Sequence, residues 1–436
     1  MAFHPREGWI GNGRRVVNRR EFLRRAAAAG IGFPTAAAIL AACGGEEGGS
    51  VGDDGGGGEL VVGRPESPAT QPIYDDNPPI ESGLDAEPGP LRIYNWADYL
   101  WVRVLNDFTD EFGVEVELTT FYNEEEALRK LRTGEIPVDV YFPTSENISK
   151  LVAGKLVQPL NHDYIPNLQA NVWPFLADPF YDKGSQYTVP YTVYKTGIGY
   201  RTDMVDEGLL SEGPTPWDVF WNPAVENIAG LYDDISEAIQ STMFRNGVEV
   251  HPADASPEEI AAAGDALVEL ADLVNIRYTI DGPYAKLPEG TFGVHQALSG
   301  DIVATPYYFP KGDDPSVARY LWPPNATANP AKGLIANDTM VVAKDAEHPV
   351  LAHMFLNYML DEAVTLKNFS WVGYQQPQNG VTPDNLVADD YVPEWLESAI
   401  VRPEDFEHEL GVIPVPLEPD KEALWLDAWA RAQAGG

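Results

Sequence analysis

The chain has 436 residues, of which 44% are hydrophobic and 22% charged, as expected of a globular protein large enough for two domains. Its 29 basic and 67 acidic residues give a formal net charge of −38, which argues against a nucleic-acid partner and is compatible with a cationic one. The histidines and the single cysteine show no zinc-ligand spacing, and no phosphate-binding loop or Gly-x-Ser-x-Gly motif occurs. The sequence therefore predicts no metal, no cofactor and no enzymatic activity.

Residues 1–42 have the pattern of an export signal. Arg19 and Arg20 form an arginine pair, residues 26–42 are uncharged and rich in alanine, and Cys43 follows Leu-Ala-Ala. Paired arginines before an apolar run are typical of the twin-arginine route, and the run is short for the alternative, a membrane anchor. The Leu-Ala-Ala-Cys sequence resembles a bacterial lipobox, which implies lipidation of Cys43. We expect a location outside the inner membrane, with attachment to the membrane through lipid only.

Residues 43–90 have a low-complexity composition. A glycine run covers residues 55–58, and prolines between Pro65 and Pro90 interrupt any regular element. With acidic residues interspersed, this composition predicts a flexible and partly extended tether. Residues 60–62 are the stretch that could instead form a strand or a docked arm.

The globular part begins at Leu91, where Leu91 and Ile93 predict a buried strand that enters a turn at Asn95 and Asp98. The next predicted segments are a helix ending before Gly113, a strand at 114–118, a helix capped by Asn123, a strand at 137–142 and a helix from Ser145. Strands that alternate with helices of this length predict an α/β sheet with mostly parallel strands.

The second half begins with residues 186–200, a β-rich run long enough to pass between two domains. Ser256-Pro257-Glu258-Glu259 is a clear helix start. The other predicted segments are strands at 228–232, 302–305 and 339–343 and helices after Asp234 and at 348–360, 361–369 and 422–433.

Short motifs spread over residues 91–436 occur in a characteristic order. They are Leu-Arg-Ile-Tyr-Asn-Trp-Ala-Asp-Tyr (91–99), Val-Asp-Val-Tyr-Phe-Pro-Thr-Ser (138–145), Val-Pro-Tyr (189–191), Gly-Ile-Gly-Tyr (197–200), Leu-Tyr-Asp-Asp-Ile-Ser-Glu-Ala (231–238), Leu-Trp-Pro (321–323), Asn-Asp-Thr (337–339) and Val-Gly-Tyr-Gln-Gln-Pro-Gln-Asn (372–379). Together they resemble the spermidine/putrescine-binding receptors of polyamine ABC importers.

The resemblance implies a type II periplasmic-binding-protein fold, with two α/β lobes joined by a hinge and a ligand cleft between them. The implied lobes are residues 91–192 plus 338–375 and residues 193–337 plus 376–436. By closing on an extended cation, such a receptor delivers it to ABC permease and ATPase subunits. We expect the chain to act as a monomer.

The resemblance also implies a set of cleft residues, in which Trp96 and Tyr99 are walls and Asp338 holds an inner amine. The matching positions are Trp96, Asp98, Tyr99, Thr144, Asp234, Glu237, Asp338 and Tyr374. A polyamine consists of ammonium groups joined by methylene runs, so spaced carboxylates with aromatic faces between them suit it. Each position also has a structural interpretation: Asp234 and Glu237 form a helix-capping pattern, Asp338 suits a turn, and Tyr374 suits packing.

Three positions depart from the family pattern. Glu146 stands where the family commonly has an aromatic residue, Ala336 replaces a tryptophan, and Tyr308 occupies the place of another cleft tryptophan. The aromatic box is thinner and one acid is added, so we expect a ligand with more charge or a bulkier head group than putrescine.

Other functions stay open at this point. A related receptor could bind another organic cation, such as thiamine, or a metal complex, and a sensor subunit could share the fold. A secreted hydrolase could use the acidic pair, although no nucleophile motif accompanies it. An anion receptor would require basic groups in the cleft, whereas the implied positions are acidic.

Overall fold

The computed structural model describes residues 59–434, except for the side chain of Glu125. The expected export signal, the lipidation site Cys43 and the first part of the expected tether lie outside these residues. No helix within 59–434 combines the length and the apolar character needed to cross a bilayer.

The strands of the described chain form one hydrogen-bonded sheet system of eleven strands. They are β1 (Leu91–Trp96), β2 (Val116–Phe121), β3 (Val140–Tyr141), β4 (Val157–Gln158), β5 (Val189–Arg201), β6 (Ala229–Leu231), β7 (Arg277–Tyr278), β8 (Val294–Leu298), β9 (Ala318–Leu321), β10 (Gly333–Ala343) and β11 (Gly411–Val412). The main order is β2-β1-β3-β10-β5-β8-β6-β7, with β4 and β11 also on β10 and β9 also on β5.

Strands β5 and β10 connect the two ends of this system. They pair with each other in antiparallel orientation from Ile335 opposite Lys195 to Met340 opposite Val189. Beyond that stretch, β10 pairs with β3 and β4, and β5 pairs with β8 and β9. Both strands are buried along their whole length, so the predicted long strand at 186–200 is confirmed. The predicted lobe boundaries fall on these two strands and stay a prediction.

The parallel pairs lie outside the two connecting strands. Strand β1 pairs in parallel with β2 and β3, and β6 pairs in parallel with β7 and β8. The predicted parallel α/β arrangement is therefore confirmed at both ends of the sheet. The connecting strands themselves are antiparallel, which the alternation of helices and strands did not indicate.

Several helices begin or end where local sequence signals predict. They are α1 (Val102–Phe112), α2 (Glu124–Thr133), α3 (Ile148–Ala153), α4 (Pro166–Asn171), α5 (Pro174–Ala177), α6 (Ile235–Arg245), α7 (Pro257–Val274), α8 (Ser299–Ala304), α9 (Pro349–Met359), α10 (Glu362–Val372), α11 (Pro383–Ala388) and α12 (Pro419–Ala434). Asn123 caps α2 by accepting a hydrogen bond from Glu126 N, and Ser256 and Glu259 form a reciprocal capping box. Gly113 ends α1 in the left-handed conformation.

Separate apolar cores lie at the two ends of the sheet. Phe108 and Phe355 belong to the core that covers β1, whereas Trp217, Leu267 and Trp425 belong to the core between α6, α7 and α12. Full burial of one such side chain stabilises the fold by about 1.5–3 kcal/mol. Each end of the sheet therefore has the packed interior that an individual lobe would need.

Three predicted segments differ from the structure. Residues 302–305 were expected to form a strand, but Ile302 and Val303 lie in helix α8, because a short buried apolar run has no period that separates strand from helix. The predicted strand at 137–142 is reduced to the two residues of β3. Ser145 does not cap a helix with its side chain; it starts a 3-10 turn that precedes α3.

Residues 59–90 lie against the globular body, unlike the flexible tether that their composition predicts. The hydrogen bonds that hold them run from Ala69 N to Phe180 O, from Gln71 Nε2 to Tyr181 O and from Asn77 Nδ2 to Val157 O, each at 2.8 Å. The Glu87 carboxylate accepts from the Val350 and Leu351 amides. The buried side chains of Gln71 and Asn77 donate hydrogen bonds to backbone carbonyls of the body. These bonds explain why a segment without a helix or a strand is held against the body.

Candidate functional site

The site is organised around Asp338 at an irregularity in strand β10. The register between β5 and β10 shifts between Asn337 and Thr339, which is the sign of a β-bulge. A bulge changes the direction of a side chain relative to the strand. Asp338 also forms an isolated bridge with Thr144, and Thr339 N donates to Pro143 O at 2.9 Å. This local geometry fixes Asp338 beside the segment that carries Thr144.

The Asp338 carboxylate is buried and is held by two tyrosines. The Tyr99 hydroxyl donates to it at 2.8 Å and the Tyr194 hydroxyl at 3.2 Å, and Tyr99 also contacts the Thr192 hydroxyl. Burial raises the pKa of the Asp338 carboxyl to about 7, although the two tyrosine hydroxyls act in the opposite direction. Its negative charge is therefore incompletely stabilised by the protein.

A second buried carboxylate, Asp301, lies on helix α8. It accepts hydrogen bonds from the Tyr232 hydroxyl at 2.5 Å and from the Tyr374 hydroxyl at 2.6 Å. Burial raises its pKa to about 6. The Tyr374 ring contacts the Tyr99 ring edge to face, with centroids 4.8 Å apart, so the surroundings of Asp301 and Asp338 are in direct contact.

Glu237 and Asp234 lie at the start of helix α6. Asp234 caps the helix by accepting a 2.9 Å hydrogen bond from Glu237 N. The Glu237 carboxylate does not complete the capping box, because it accepts from the Thr196 hydroxyl at 3.1 Å and from Gln296 Nε2 at 3.3 Å. Desolvation, followed by the charge of Asp234, raises the pKa of Glu237 well above its ordinary value. The structural and the binding interpretations of this pair are thus compatible.

Glu124 and Glu146 add two acids close to Asp338. Glu124 is buried, and its carboxylate accepts from Thr144 Oγ1 at 2.9 Å and from Thr144 N at 3.1 Å. Burial raises the pKa of Glu124 to about 8, and the charges of Asp338 and Glu146 act in the same direction. Glu146 also raises the pKa of Glu237. Electrostatic interactions therefore link the acids carried by β10, α2, α6 and the turn after β3.

The remaining predicted residues lie nearer the edge of this group. Asp98 is exposed and has a φ of 57°. Burial raises the pKa of Tyr284, and the charge of Asp98 adds to that increase. Tyr284 contacts the Tyr308 ring at 5.3 Å and is also influenced by Asp301. The Trp96 ring packs on the Phe121 ring, with centroids 4.6 Å apart. Ala336 is buried on β10 opposite Tyr194.

Several residues of this site had no signal in the sequence. They are Glu124, Tyr194, Tyr284 and Asp301, whereas Tyr232 lies within the motif at 231–238 but without a predicted role. In the sequence, Glu124 looks like an ordinary acidic residue in the first turn of α2. Asp301 directly precedes residues 302–305, for which the sequence predicts a strand. Only their tertiary partners reveal them, such as the Tyr232 hydroxyl 69 residues away from Asp301.

The chemistry of the site is that of an uncompensated negative charge surrounded by aromatic rings. The four carboxylates of Glu124, Glu237, Asp301 and Asp338 accept hydrogen bonds from hydroxyl and amide groups, and none is in an ion pair among the described residues. Burying ionised acids without a cation costs free energy, which the raised pKa values express. A bound cation with several charges would remove that cost.

A family model for bacterial extracellular solute-binding proteins matches residues 103–392. The spermidine/putrescine-binding periplasmic protein of Salmonella typhimurium is 25% identical over 289 residues, 66% of this chain and 77% of that protein. A putrescine-binding periplasmic protein of Escherichia coli is 26% identical over 366 residues, 81% and 93% of the two chains.

Among solved structures, a putative spermidine/putrescine ABC transporter protein from Listeria monocytogenes superposes with a TM-score of 0.65. It is 22% identical and covers 79% of this chain and 98% of its own. This likeness confirms the predicted fold class, the type II periplasmic-binding-protein fold. The sequence resemblance to polyamine-binding receptors is confirmed as well.

Proposed function

Because the chain belongs to the bacterial extracellular solute-binding protein family, we propose that it is the receptor of an ABC importer and captures a polyamine outside the inner membrane. The observation that carries the proposal is that the buried carboxylates of Asp301 and Asp338 have no cationic partner among residues 59–434 and lie beside tyrosine rings. The names of the Salmonella and Escherichia relatives point to the same class of ligand.

A polyamine fits this arrangement on physical grounds. Its ammonium groups would pair with carboxylates such as Asp338, Asp301 and Glu237, and its methylene runs would lie against the rings of Tyr99 and Tyr374. Charge-assisted hydrogen bonds are about twice as strong as neutral ones, and a cation over a ring gains roughly 0.5–2 kcal/mol. An anionic solute would instead face several acids at once, which would cost free energy.

The ligand would be captured by closure of the two predicted lobes around the strands β5 and β10. In this proposal residues 91–192 plus 338–375 form one lobe, and residues 193–337 plus 376–436 form the other. Hinged closure removes water from a bound cation and strengthens its electrostatic interactions. The receptor would act as a monomer and present the closed form to its permease and ATPase subunits.

Export and anchoring are part of the same proposal. Arg19 and Arg20 would direct the folded chain to the twin-arginine route, and lipidation of Cys43 would hold it at the membrane surface. Mass spectrometry of the membrane fraction tests this directly. We expect a chain that starts at a lipid-modified Cys43, and an unmodified chain in the membrane fraction would contradict the anchor.

The ligand would carry more charge than putrescine. The acid at Glu146 raises the pKa values of both Glu124 and Glu237, so its charge acts on the same site. A triamine or tetramine would neutralise more of these carboxylates than a diamine. This supports spermidine or spermine as the preferred class of ligand.

Titration calorimetry and thermal unfolding test the function. Putrescine, spermidine, spermine and thiamine are titrated into the purified protein, with butylamine as a monoamine control. A tight ligand raises the melting temperature because it binds only the folded state. We expect spermidine or spermine to bind more tightly than putrescine, and butylamine not to bind measurably. Absence of binding by all the polyamines would overturn the proposal, and a response to thiamine alone would redirect it to another organic cation.

A further inference from the structure

A π-helical turn at Gly282–Lys286 carries a tyrosine that no sequence motif indicated. Such turns are rare and often occur at functional sites. Tyr284 lies in the middle of the turn and is partly exposed, whereas its neighbour Pro283 is buried. The side chain of Tyr284 is therefore presented by an unusual local structure.

The turn is held rigidly at both ends. A Cβ atom on Gly282 would lie 2.1 Å from His295 Nε2, so glycine allows the turn to approach β8 closely. At the other end, Arg201 Nη1 donates to the carbonyls of Leu287 and Pro288 at 3.2 and 2.8 Å, and the Leu287 side chain is fully buried. Because both ends of the turn are held, the Tyr284 ring has a defined position, and ligand binding would not need to order a flexible loop.

The surroundings of Tyr284 belong to the candidate site. The turn packs against helix α8, which carries Asp301, and the Tyr284 ring contacts the Tyr308 ring with centroids 5.3 Å apart. Burial raises the pKa of Tyr284, and the charges of Asp301 and Asp98 add to that effect. The packing of the turn therefore places Tyr284 beside the helix that carries Asp301, and the exposed Asp98 after β1 is close enough for its charge to add to the raised pKa of Tyr284.

We propose that Tyr284 is a ligand-contacting residue whose ring forms an aromatic wall between Asp301 and Asp98. The inference rests on the proposed function and assigns a specificity role to a residue outside the predicted site. An ammonium group or a methylene run passing from Asp98 toward Asp301 would lie on this ring, because a cation is attracted to the ring face.

Substitutions that separate the ring from the hydroxyl group test the proposal, with spermidine as the probe in titration calorimetry. Tyr284→Ala and Tyr284→Leu should each weaken spermidine binding by about tenfold, because both remove the ring face. Tyr284→Phe keeps the ring and should stay within about threefold of the wild type. The matched control is Tyr391→Ala, whose ring lies against Phe369 outside the site and whose loss should leave the affinity unchanged.

The outcomes distinguish this proposal from the proposed function. If the wild type binds spermidine and both Tyr284→Ala and Tyr284→Leu bind it equally well, the aromatic wall is overturned while the receptor function stands. If Tyr284→Phe is weakened as much as Tyr284→Ala, the hydroxyl group rather than the ring makes the contact, which also overturns the proposal. If the wild type binds no polyamine, both proposals fail. Unfolding curves of the ligand-free variants show whether each is folded at the titration temperature.

Discussion

The hydroxyl of Tyr99 donates a 2.8 Å hydrogen bond to the carboxylate of Asp338, across 239 residues of sequence. The bond joins the end of β1 to the bulge in β10, and both side chains are buried. It orients the carboxylate but leaves its charge unpaired, since a hydroxyl is neutral. Burial raises the pKa of Asp338 to about 7, so its carboxyl is partly protonated near neutral pH, and a neighbouring cation would favour the ionised form.

Replacing Asp338 by asparagine should abolish most polyamine binding. The variant Asp338→Asn preserves the shape of the side chain and its capacity to accept from Tyr99, but it removes the charge. Truncating one partner of a buried charge pair costs about 2–5 kcal/mol, so we expect an affinity loss of about 30-fold or more in titration calorimetry.

The matched control for this change is Asp384→Asn at the exposed start of helix α11. It should bind spermidine like the wild type. The ligand-free Asp338→Asn protein should melt at or above the wild-type temperature, because a buried acid without a cation costs free energy. An unchanged affinity of Asp338→Asn would show that Asp338 lies outside the binding site.

Affinity should rise with pH. The pKa values of Asp301, Asp338 and Glu124 are raised by burial to about 6, 7 and 8, so these acids are partly protonated near neutral pH. An acid must release its proton to pair with an ammonium group, while amines with a pKa of about 10 stay charged. Binding should therefore tighten from about pH 5.5 to about pH 8.5, by up to tenfold per pH unit for each proton released.

Calorimetry in two buffers of different ionisation enthalpy measures the protons released on binding. The number should be positive near pH 7 and should fall in the Asp338→Asn variant, which has lost one of the titrating groups. A flat profile, or tighter binding at low pH, would contradict the assignment of these acids to the ligand.

Much of the fold was predictable because its signals are local. The starts of α2 and α7 depend on Asn123 and Ser256, and the length of β5 is visible in its own residues. The antiparallel pairing of β5 with β10 and the helical state of residues 302–304 depend on packing between distant segments, so no local pattern indicated them.

The candidate site was predictable only where the family resemblance supplied positions. Asp338, Tyr99 and Glu237 were predicted from it, and the structure connects them to further acids. Glu124 and Asp301 escaped prediction because burial distinguishes them from ordinary surface acids, and that burial comes from Thr144, Tyr232 and Tyr374. In the same way, hydrogen bonds to backbone groups of the body, rather than composition, determine where residues 59–90 lie.

Asp234 allows the capping and binding roles of one residue to be separated. Asp234→Asn keeps a side-chain oxygen that can accept from Glu237 N and removes only the charge, so the melting temperature should hold while polyamine affinity falls. Asp234→Ala also loses the cap, which costs about 1 kcal/mol, so it should lower both quantities. Unfolding and calorimetry on the same samples measure the two effects. If Asp234→Asn binds spermidine like the wild type, Asp234 has the capping role alone.

The ion pair between Arg64 and Asp254 should stabilise the docked segment 59–90. The Arg64 guanidinium donates two 2.8 Å hydrogen bonds to the Asp254 carboxylate. The side chains are 29% and 49% exposed, so solvent screening limits the contribution to roughly 1 kcal/mol. Arg64→Glu should lower the melting temperature by about 2 °C at low salt, and the exchanged pair Arg64→Glu with Asp254→Arg should restore it. Equal loss in the single and exchanged variants would show that the pair contributes nothing.

Glu146 should determine how strongly the receptor distinguishes triamines from diamines. Burial is the main cause of the raised pKa values of Glu124 and Glu237, and the charge of Glu146 adds to both, so Glu146 contributes negative potential to the part of the site near Thr144. Glu146→Gln removes this charge at nearly constant size. A ligand with three or more ammonium groups then has one carboxylate fewer with which to pair. The affinity for spermidine should fall about tenfold while the affinity for putrescine changes less, because the carboxylates that remain in the variant can still pair with both ammonium groups of a diamine. Calorimetry with both amines gives the ratio of affinities. An equal loss for both would mean that Glu146 contributes general negative potential rather than a third amine position.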